Sequence, residues 1–290
     1  MKTLLQLVFW LKISRPGLWF ATVWLYLLPT SQMDVFESPQ FWFGLLYVTF
    51  PLNFLVYGWN DIVDQETDAV NPRKNTFWFG ARGTEAQLAS LPKVIVFVQL
   101  IFMIPFVYLE GIPMLILFAG LVLINWLYNL KKNGLRSRPP LELLCQIGYL
   151  LVAPFSILVN DTANLPWLTF GYLFLFAMQS HLIGEVMDIE PDRKSGRRTT
   201  ATIIGMKNTK LLIISIVALE VFILFYFYKE FIFGGILALG LIWLLIDLFI
   251  IYKTKTYSLP QMKLFGLMSN VVAVFSMGYV WYTGCLLQLG

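Results

Sequence analysis

The sequence predicts an all-α integral membrane protein, a polytopic bundle of about nine transmembrane helices. Three observations predict it: the composition, the recurrence of apolar runs near bilayer length, and the one-sided placement of the basic residues. Hydrophobic residues make up 58% of the 290 and charged residues only 13%, with a mean hydropathy of +0.70. An ordinary soluble domain carries roughly a quarter of its residues as Asp, Glu, Lys and Arg, so a soluble fold is excluded. No polar linker separates the apolar runs, and residues 1–290 are therefore expected to form a single membrane domain. Cys145 and Cys285 stand alone in separate runs, without metal-ligand spacing. The run 4–11 is too short for a signal peptide and lacks the small-residue cleavage site.

A bilayer core takes about 20 apolar residues per helix. Runs near that length fall at 17–34, 41–60, 94–110, 112–130, 141–159, 165–184, 211–228, 231–251 and 264–287. Turn formers or charges divide them: Glu110-Gly111-Ile112-Pro113, Asn160-Asp161 and Lys229-Glu230. Cytoplasmic loops hold the excess of Lys and Arg. With the N-terminus inside and nine crossings, all but Lys229 of the 21 basic residues fall on the cytoplasmic side. This partition requires an odd number of spans, which puts the C-terminus outside, in a bacterial inner membrane or an organelle membrane. The net charge of +4 follows from that topology and implies no nucleic-acid partner.

Eight of the 17 acidic residues sit in two short stretches on the cytoplasmic side. Asp61, Asp64, Glu66 and Asp68 follow the second span, and Glu185, Asp188, Glu190 and Asp192 follow the sixth. Asp61, Asp64 and Asp68 are spaced i, i+3, i+7, which places all three on one helical face; Glu185, Asp188 and Asp192 repeat the spacing. Acids at helix ends commonly form a solvated, salt-bridged surface. Here they oppose the macrodipole at a helix C-terminus and repel one another one turn apart, an arrangement that a divalent cation neutralises. An all-oxygen set with no Cys and a single His in the whole chain selects Mg²⁺ or Ca²⁺ over zinc. Mg²⁺ binds through one or two carboxylates plus substrate phosphates, so two acidic faces point to two Mg²⁺ subsites clamping a diphosphate.

Basic and polar residues extend this pattern. Asn71-Pro72-Arg73-Lys74 follows the first cluster, Arg193-Lys194 and Gly196-Arg197-Arg198 follow the second, and Lys131 to Arg138 link spans four and five. Arg and Lys are natural phosphate partners, though the positive-inside rule by itself accounts for charges here. Asn53 and Asn60 approach the face of Asp64, and Asn125, Tyr128 and Lys132 step i, i+3, i+7. His181 lies one turn before Glu185, and Glu220 and Asp247 are acids inside spans to which no motif assigns a role.

Asn60-Asp61-Ile62-Val63-Asp64-Gln65-Glu66-Thr67-Asp68 resembles the NDxxDxxxD motif of the UbiA superfamily of intramembrane prenyltransferases. Glu185 to Asp192, followed by Arg193 to Thr200, resembles the second acidic motif with its trailing Gly-Lys/Arg-Thr segment, with Glu185 where Asp is commoner. Tyr128 to Lys132 resembles the YxxxK element between them, and Ser14-Arg15-Pro16 precedes the first span. Asn71-Pro72-Arg73-Lys74-Asn75, continuing to Gly80-Ala81-Arg82-Gly83, resembles the carotenoid-elongating branch, the lycopene elongases. The resemblance implies a helical bundle around a central cavity, open to lipid for long apolar substrates. Two Mg²⁺ ions are implied on Asp61, Asp64, Asp68, Glu185, Asp188 and Asp192, with the diphosphate bound by Asn60, Arg73, Lys74, Arg136, Arg138, Lys194 and Arg197.

The reaction expected is transfer of a prenyl group from a prenyl diphosphate donor to a lipophilic acceptor, by ionisation and then condensation. The acceptor is a carotenoid such as lycopene, an aromatic quinone precursor or another lipid. Tyr128 and Lys132 act in catalysis, and Asp188 or Asp192 is the candidate for removing the closing proton. Two alternatives fit the pattern less well. CDP-alcohol phosphatidyltransferases need Gly after the second Asp, where Gln65 stands. A transporter or ion pathway places its coupling residues near the bilayer midplane, whereas both clusters here lie at span ends. The charge partition carries a test: cysteines introduced at Asp68 and Ser195 are expected to react with an impermeant maleimide from the cytoplasmic side only. Labelling from opposite sides would refute the topology.

Overall fold

The computed structural model describes residues 2–131 and 134–290 and is helical throughout, with one isolated bridge, Thr76 to Gly80, and no strand among the described residues. The helices run in chain order as α1 (Lys2–Ile13), α2 (Phe20–Leu27), α3 (Pro39–Val63), α4 (Gln65–Val70), α5 (Glu85–Glu110) and α6 (Ile112–Tyr128). They continue as α7 (Leu141–Leu144), α8 (Ile147–Leu150), α9 (Val152–Asn160), α10 (Trp167–Lys194), α11 (Thr200–Tyr226), α12 (Phe231–Ile246) and α13 (Leu259–Thr283). Three of the longest begin ahead of the apolar runs that announced them. Thr84 with Gln87, Thr199 with Thr202 and Ser258 with Gln261 form capping boxes that start α5, α11 and α13. Hydropathy detects burial in lipid, whereas the helix starts where its free N–H groups find acceptors.

Among the described residues, six helical segments are long and apolar enough to cross a membrane: Pro39–Val63, Glu85–Glu110, Leu141–Asn160, Thr200–Tyr226, Phe231–Ile251 and Leu259–Thr283. The other three expected runs fall on elements that are shorter or more polar. Run 17–34 is opened and closed by 3₁₀ turns at Pro16–Leu18 and Leu28–Thr30, leaving α2 short between them. Run 112–130 is α6, and run 165–184 is the apolar part of α10, whose C-terminal turns carry the second acidic cluster. The single span expected at 141–159 is a bent rod of α7, α8 and α9. Gln146, Gly148 and Leu151 each bond back three residues rather than four, tightening the rod at two points.

α10 packs along α11, α3 lies against α5, and α2 sits between α3, α9 and α13. The central core is aromatic. Tyr47, Phe106, Phe118 and Phe155 are all buried, and Phe106 meets Phe155 edge-to-face with ring centroids 5.0 Å apart. Buried polar groups bind the first helices together: Asn53 donates to Thr22 Oγ1 at 2.9 Å and to the Val48 and Thr49 carbonyls. Asn53 is thus engaged within the bundle and does not extend toward Asp64 as its spacing suggested. Tyr26 Oη donates to the Phe41 carbonyl at 2.8 Å, and Ser156 Oγ to the Tyr26 carbonyl at 2.6 Å.

Gly44 permits that close approach of α2 to α3. A Cβ there would stand 2.2 Å from Tyr26 Oη, which its own hydrogen bond holds in place. Gly171 on α10 has nothing within 4 Å of the same position. Gly44→Ala is therefore expected to destabilise the fold by about 1–3 kcal/mol, the usual cost of overpacking. Thermal unfolding in detergent should show a lower midpoint for Gly44→Ala and none of that loss for Gly171→Ala; equal behaviour of the two would refute this packing role.

Candidate active site

The two acidic clusters, far apart in sequence, meet at one end of the bundle. The chain reaches it along α3, whose hydrogen-bond ladder continues past Val63: Asp64 N donates to the Asn60 carbonyl and Asp68 N to the Asp64 carbonyl. Asp61, Asp64 and Asp68 consequently stay on one side although α3 ends and α4 begins at Asp64. Glu66 points away and is exposed. α10 delivers Glu185, Asp188 and Asp192 from its own C-terminal turns, with Asp188 the most open of the three.

Each of the central acids is met by cations from another part of the chain. Asp61, 2% exposed, takes Arg15 Nη2 at 2.7 Å and Lys74 Nζ at 2.6 Å on the same oxygen. Lys74 also reaches Asp68 at 2.7 Å. Asp64 pairs with Arg136 through Oδ1 and with Arg197 at 3.0 Å through Oδ2, which also accepts from Asn60 Nδ2 at 2.8 Å. Asp188 pairs with Arg73 and accepts from Asn71 Nδ2 at 2.9 Å. Asp192 lies 3.9 Å from Arg197, whose backbone N–H donates to the Asp192 carbonyl at 2.8 Å. Arg197 therefore bridges the two clusters. Burial and the like charge of Arg197 push Arg136 down to about 10, still charged at neutral pH. Burial pushes the Asp68 carboxyl above its ordinary value, and the attraction of Lys74 only partly offsets it.

The segment 71–82 is the strap that carries Asn71, Arg73 and Lys74 between the clusters. Asn75 and Thr76 N–H both donate to the Gly80 carbonyl, and Gly80 N–H returns a bond to Thr76. Arg82 fastens the strap to the carbonyls of Asp68 and Asn71. Gly80 has φ +92, a conformation costing other residues roughly 1–2 kcal/mol. A Cβ there would also stand 3.2 Å from Asp61 Oδ2 and 3.1 Å from Arg15 Nε.

Several expected residues stand elsewhere. Arg138 and Lys194 are exposed and form no ion pair among the described residues; Lys194 ends α10 beyond the cluster. Lys132 lies outside the described residues. Tyr128 is half-buried, edge-on to His181 at a centroid distance of 6.2 Å. Glu185 faces the start of α11: its Oε2 accepts from Ala201 N at 2.9 Å, and its Oε1 lies 3.2 Å from His181 Nε2. Glu142, a residue the sequence left without a role, completes that cap by accepting from Thr200 N at 2.7 Å and Thr200 Oγ1 at 2.6 Å. Arg15 and Asn71 were also left out of the expected site. Their signals were Arg15 before Pro16 at the mouth of the first span and Asn71 at the head of the strap. Glu220 is fully buried on α11 with neither carboxyl oxygen bonded, away from the site.

Among the described residues, no three His, Cys, Asp or Glu side chains converge on one point, because Arg and Lys already occupy the carboxylates. The donor set nevertheless suits a hard divalent cation. It is all oxygen, and Asp61 Oδ2 is buried without a hydrogen-bond partner, in a cradle that only Gly80 leaves open.

A sequence model of the UbiA prenyltransferase family matches residues 17–271. A lycopene elongase/hydratase of Corynebacterium glutamicum is 31% identical over 210 residues, which are 67% of this chain and 68% of that protein. One of Haloarcula japonica is 27% identical, over 69% and 68% of the two chains. A UbiA homolog from Archaeoglobus fulgidus bound to DMAPP and Mg²⁺ superposes with a TM-score of 0.72 at 16% identity, over 93% of this chain and 97% of that one. The same homolog bound to GPP and Mg²⁺ gives 0.68 at 17% identity, over the same shares.

Proposed function

This chain belongs to the UbiA prenyltransferase family, and from that premise we propose that it joins a prenyl group from a prenyl diphosphate to the end of a lycopene-type carotenoid. It is an integral membrane enzyme, and its family sets aside the transporter reading. The observation that carries the proposal is the interlock of two acidic clusters by Arg15, Arg73, Lys74, Arg136 and Arg197. Buried acids and bases in such numbers form a site in which charge can be exchanged: a diphosphate takes the cations, and the acids take its counter-ions. The lycopene-type acceptor is supported by the named activity of the curated relatives. We further propose a single domain over residues 1–290 that crosses the membrane nine times, α2, α6 and α10 supplying three spans beyond the six named above, with the N-terminus cytoplasmic.

Mg²⁺, when bound, would be held by Asp61, Asp64, Asp68, Asp188 and Asp192 with diphosphate oxygens and would supply Lewis-acid neutralisation of the leaving group. Arg73, Lys74 and Arg197 bind the diphosphate and stabilise the charge that grows on it as the C1–O bond breaks and its electron pair leaves with oxygen. Arg15, stacked 4.4 Å from the Tyr57 ring, and Arg136 add to that field. Tyr57 and Tyr149, whose hydroxyls are 3.4 Å apart, present ring faces suited to an allylic cation. The acceptor double bond then supplies the pair for the new C–C bond. The proton released from the adjacent carbon passes to a carboxylate, Asp188 or Asp192, which closes the electron balance. Glu185 serves the cap of α11 and sets the height of α10 beside it.

Substitution and metal removal test the reading. Asp64→Asn and Asp188→Asn preserve shape but remove charge, and diphosphate release should fall about 100-fold or more in protein that stays folded in detergent. Glu66→Gln, altering an exposed residue, should remain near normal. Equal activity in all three would refute the site. Thorough EDTA treatment should abolish turnover, with Mg²⁺ restoring it; turnover unchanged by EDTA would refute the role of the metal.

A further inference from the structure

Lys210 on α11 and Asp247, which opens a π-turn (Asp247–Ile251) after α12, form a buried pair outside both acidic clusters. Lys210 Nζ lies 2.6 Å from Asp247 Oδ2 and donates to the Lys253 carbonyl at 2.9 Å. Tyr257 Oη donates to the same Asp247 oxygen at 2.8 Å, and the Lys210 ammonium lies 4.6 Å from the Tyr257 ring centroid. A buried ion pair contributes little net stability, because desolvation cancels most of its attraction, but it fixes geometry closely. What it fixes here is the Tyr257 ring.

That ring packs on the cluster of Phe79, Met187 and Met262. Phe79 belongs to the strap, and the Arg73 guanidinium lies 4.7 Å from its ring centroid. Met187 belongs to α10, and its sulfur accepts from Arg73 Nη1 at 3.5 Å. Arg73 is therefore held between an aromatic face and a thioether that belong to the cluster on which Tyr257 packs, with its other end on Asp188. The chain of groups runs from α11 through Asp247 and Tyr257 to that cluster, and from its Phe79 and Met187 to the guanidinium.

We propose that Tyr257, oriented by Asp247 and Lys210, is a positioning residue that sets Arg73 for the donor diphosphate. The proposal rests on the reading of Arg73 as a diphosphate ligand. It separates Tyr257 from a packing residue because only one substrate should feel its loss. An Arg that wanders costs donor binding, while the acceptor, bound through apolar contacts, is unaffected.

The test measures KM for dimethylallyl diphosphate and for lycopene with Mg²⁺ in detergent, and binding of inorganic diphosphate to the same preparations. Tyr257→Phe keeps the ring and removes the bond to Asp247. It should raise the donor KM and weaken diphosphate binding by roughly three- to tenfold, with kcat and the lycopene KM within about twofold. Phe79→Leu should do the same and Phe79→Trp should not. Tyr257→Phe combined with Phe79→Leu should exceed the larger single effect by less than the product of the two, since coupled residues are not additive. An unchanged donor KM in Tyr257→Phe, a parallel rise in both KM values, or full additivity would overturn the relay. Arg73→Met is the reference. If it leaves diphosphate binding unmoved, the assignment of Arg73 fails; if it weakens binding and Tyr257→Phe does not, only the relay fails.

Discussion

The structure depends on neutralising carboxylates that a membrane bundle holds out of water. Leaving a buried charge without its partner costs several kcal/mol, more than most single contacts return. Asp61 and Asp64 are at most 4% exposed, and the chain brings cations to them from four separate places: the turn between α1 and α2, the strap, the α6–α7 loop and the loop after α10. This requirement sets the layout of that end of the bundle. The helices need not be continuous or equal in length, provided that their ends deliver opposite charges to one place.

Between the charged end and the opposite end, the bundle is rigid for a different reason. Aromatic rings fill the space between α3, α5, α6 and α9, while Asn53, Thr22 and Tyr26 spend their polar groups on neighbouring backbone. With no water to serve as alternative partner, each such bond is retained and the helices hold their register. The acidic residues at the ends of α3 and α10 thereby gain fixed positions without being tied to one another. Their contact passes through Arg197 and the strap, elements joined to the acids by ion pairs.

Legibility in the sequence followed the physics of each signal. Asp61, Asp64 and Asp68 were readable because a helical repeat turns spacing into a shared face, and the ladder across Asp64 preserved it. Glu66, off that face by the same repeat, is exposed. Arg73, Lys74, Arg136 and Arg197 stood out by charge and by their place in the loops beside and between the clusters, and each pairs with one of the acids. Arg138 and Lys194 shared both properties yet are exposed, because in loops and at helix ends the spacing no longer fixes direction. Glu185 sat at the right interval and serves a helix cap, and Asn53 shared the face of α3 and bonds within the bundle. Interval alone does not distinguish a ligand from a cap.

What the sequence by itself determined was the medium, the helical class and the family. Apolar runs of bilayer length leave no other secondary structure for a backbone without water, and the two acidic motifs carry the resemblance that the family model bears out. Only the tertiary structure decided which cation meets which acid, that Arg15 and Asn71 join the site, and that Tyr257 stands behind Arg73. These pairings span from 46 to 133 residues where they join α3 and α10 to Arg15, the strap and the loop after α10. Local propensity carries no information over such separations. They are fixed by which helices pack together, a choice made by the shapes of the whole set of side chains at once.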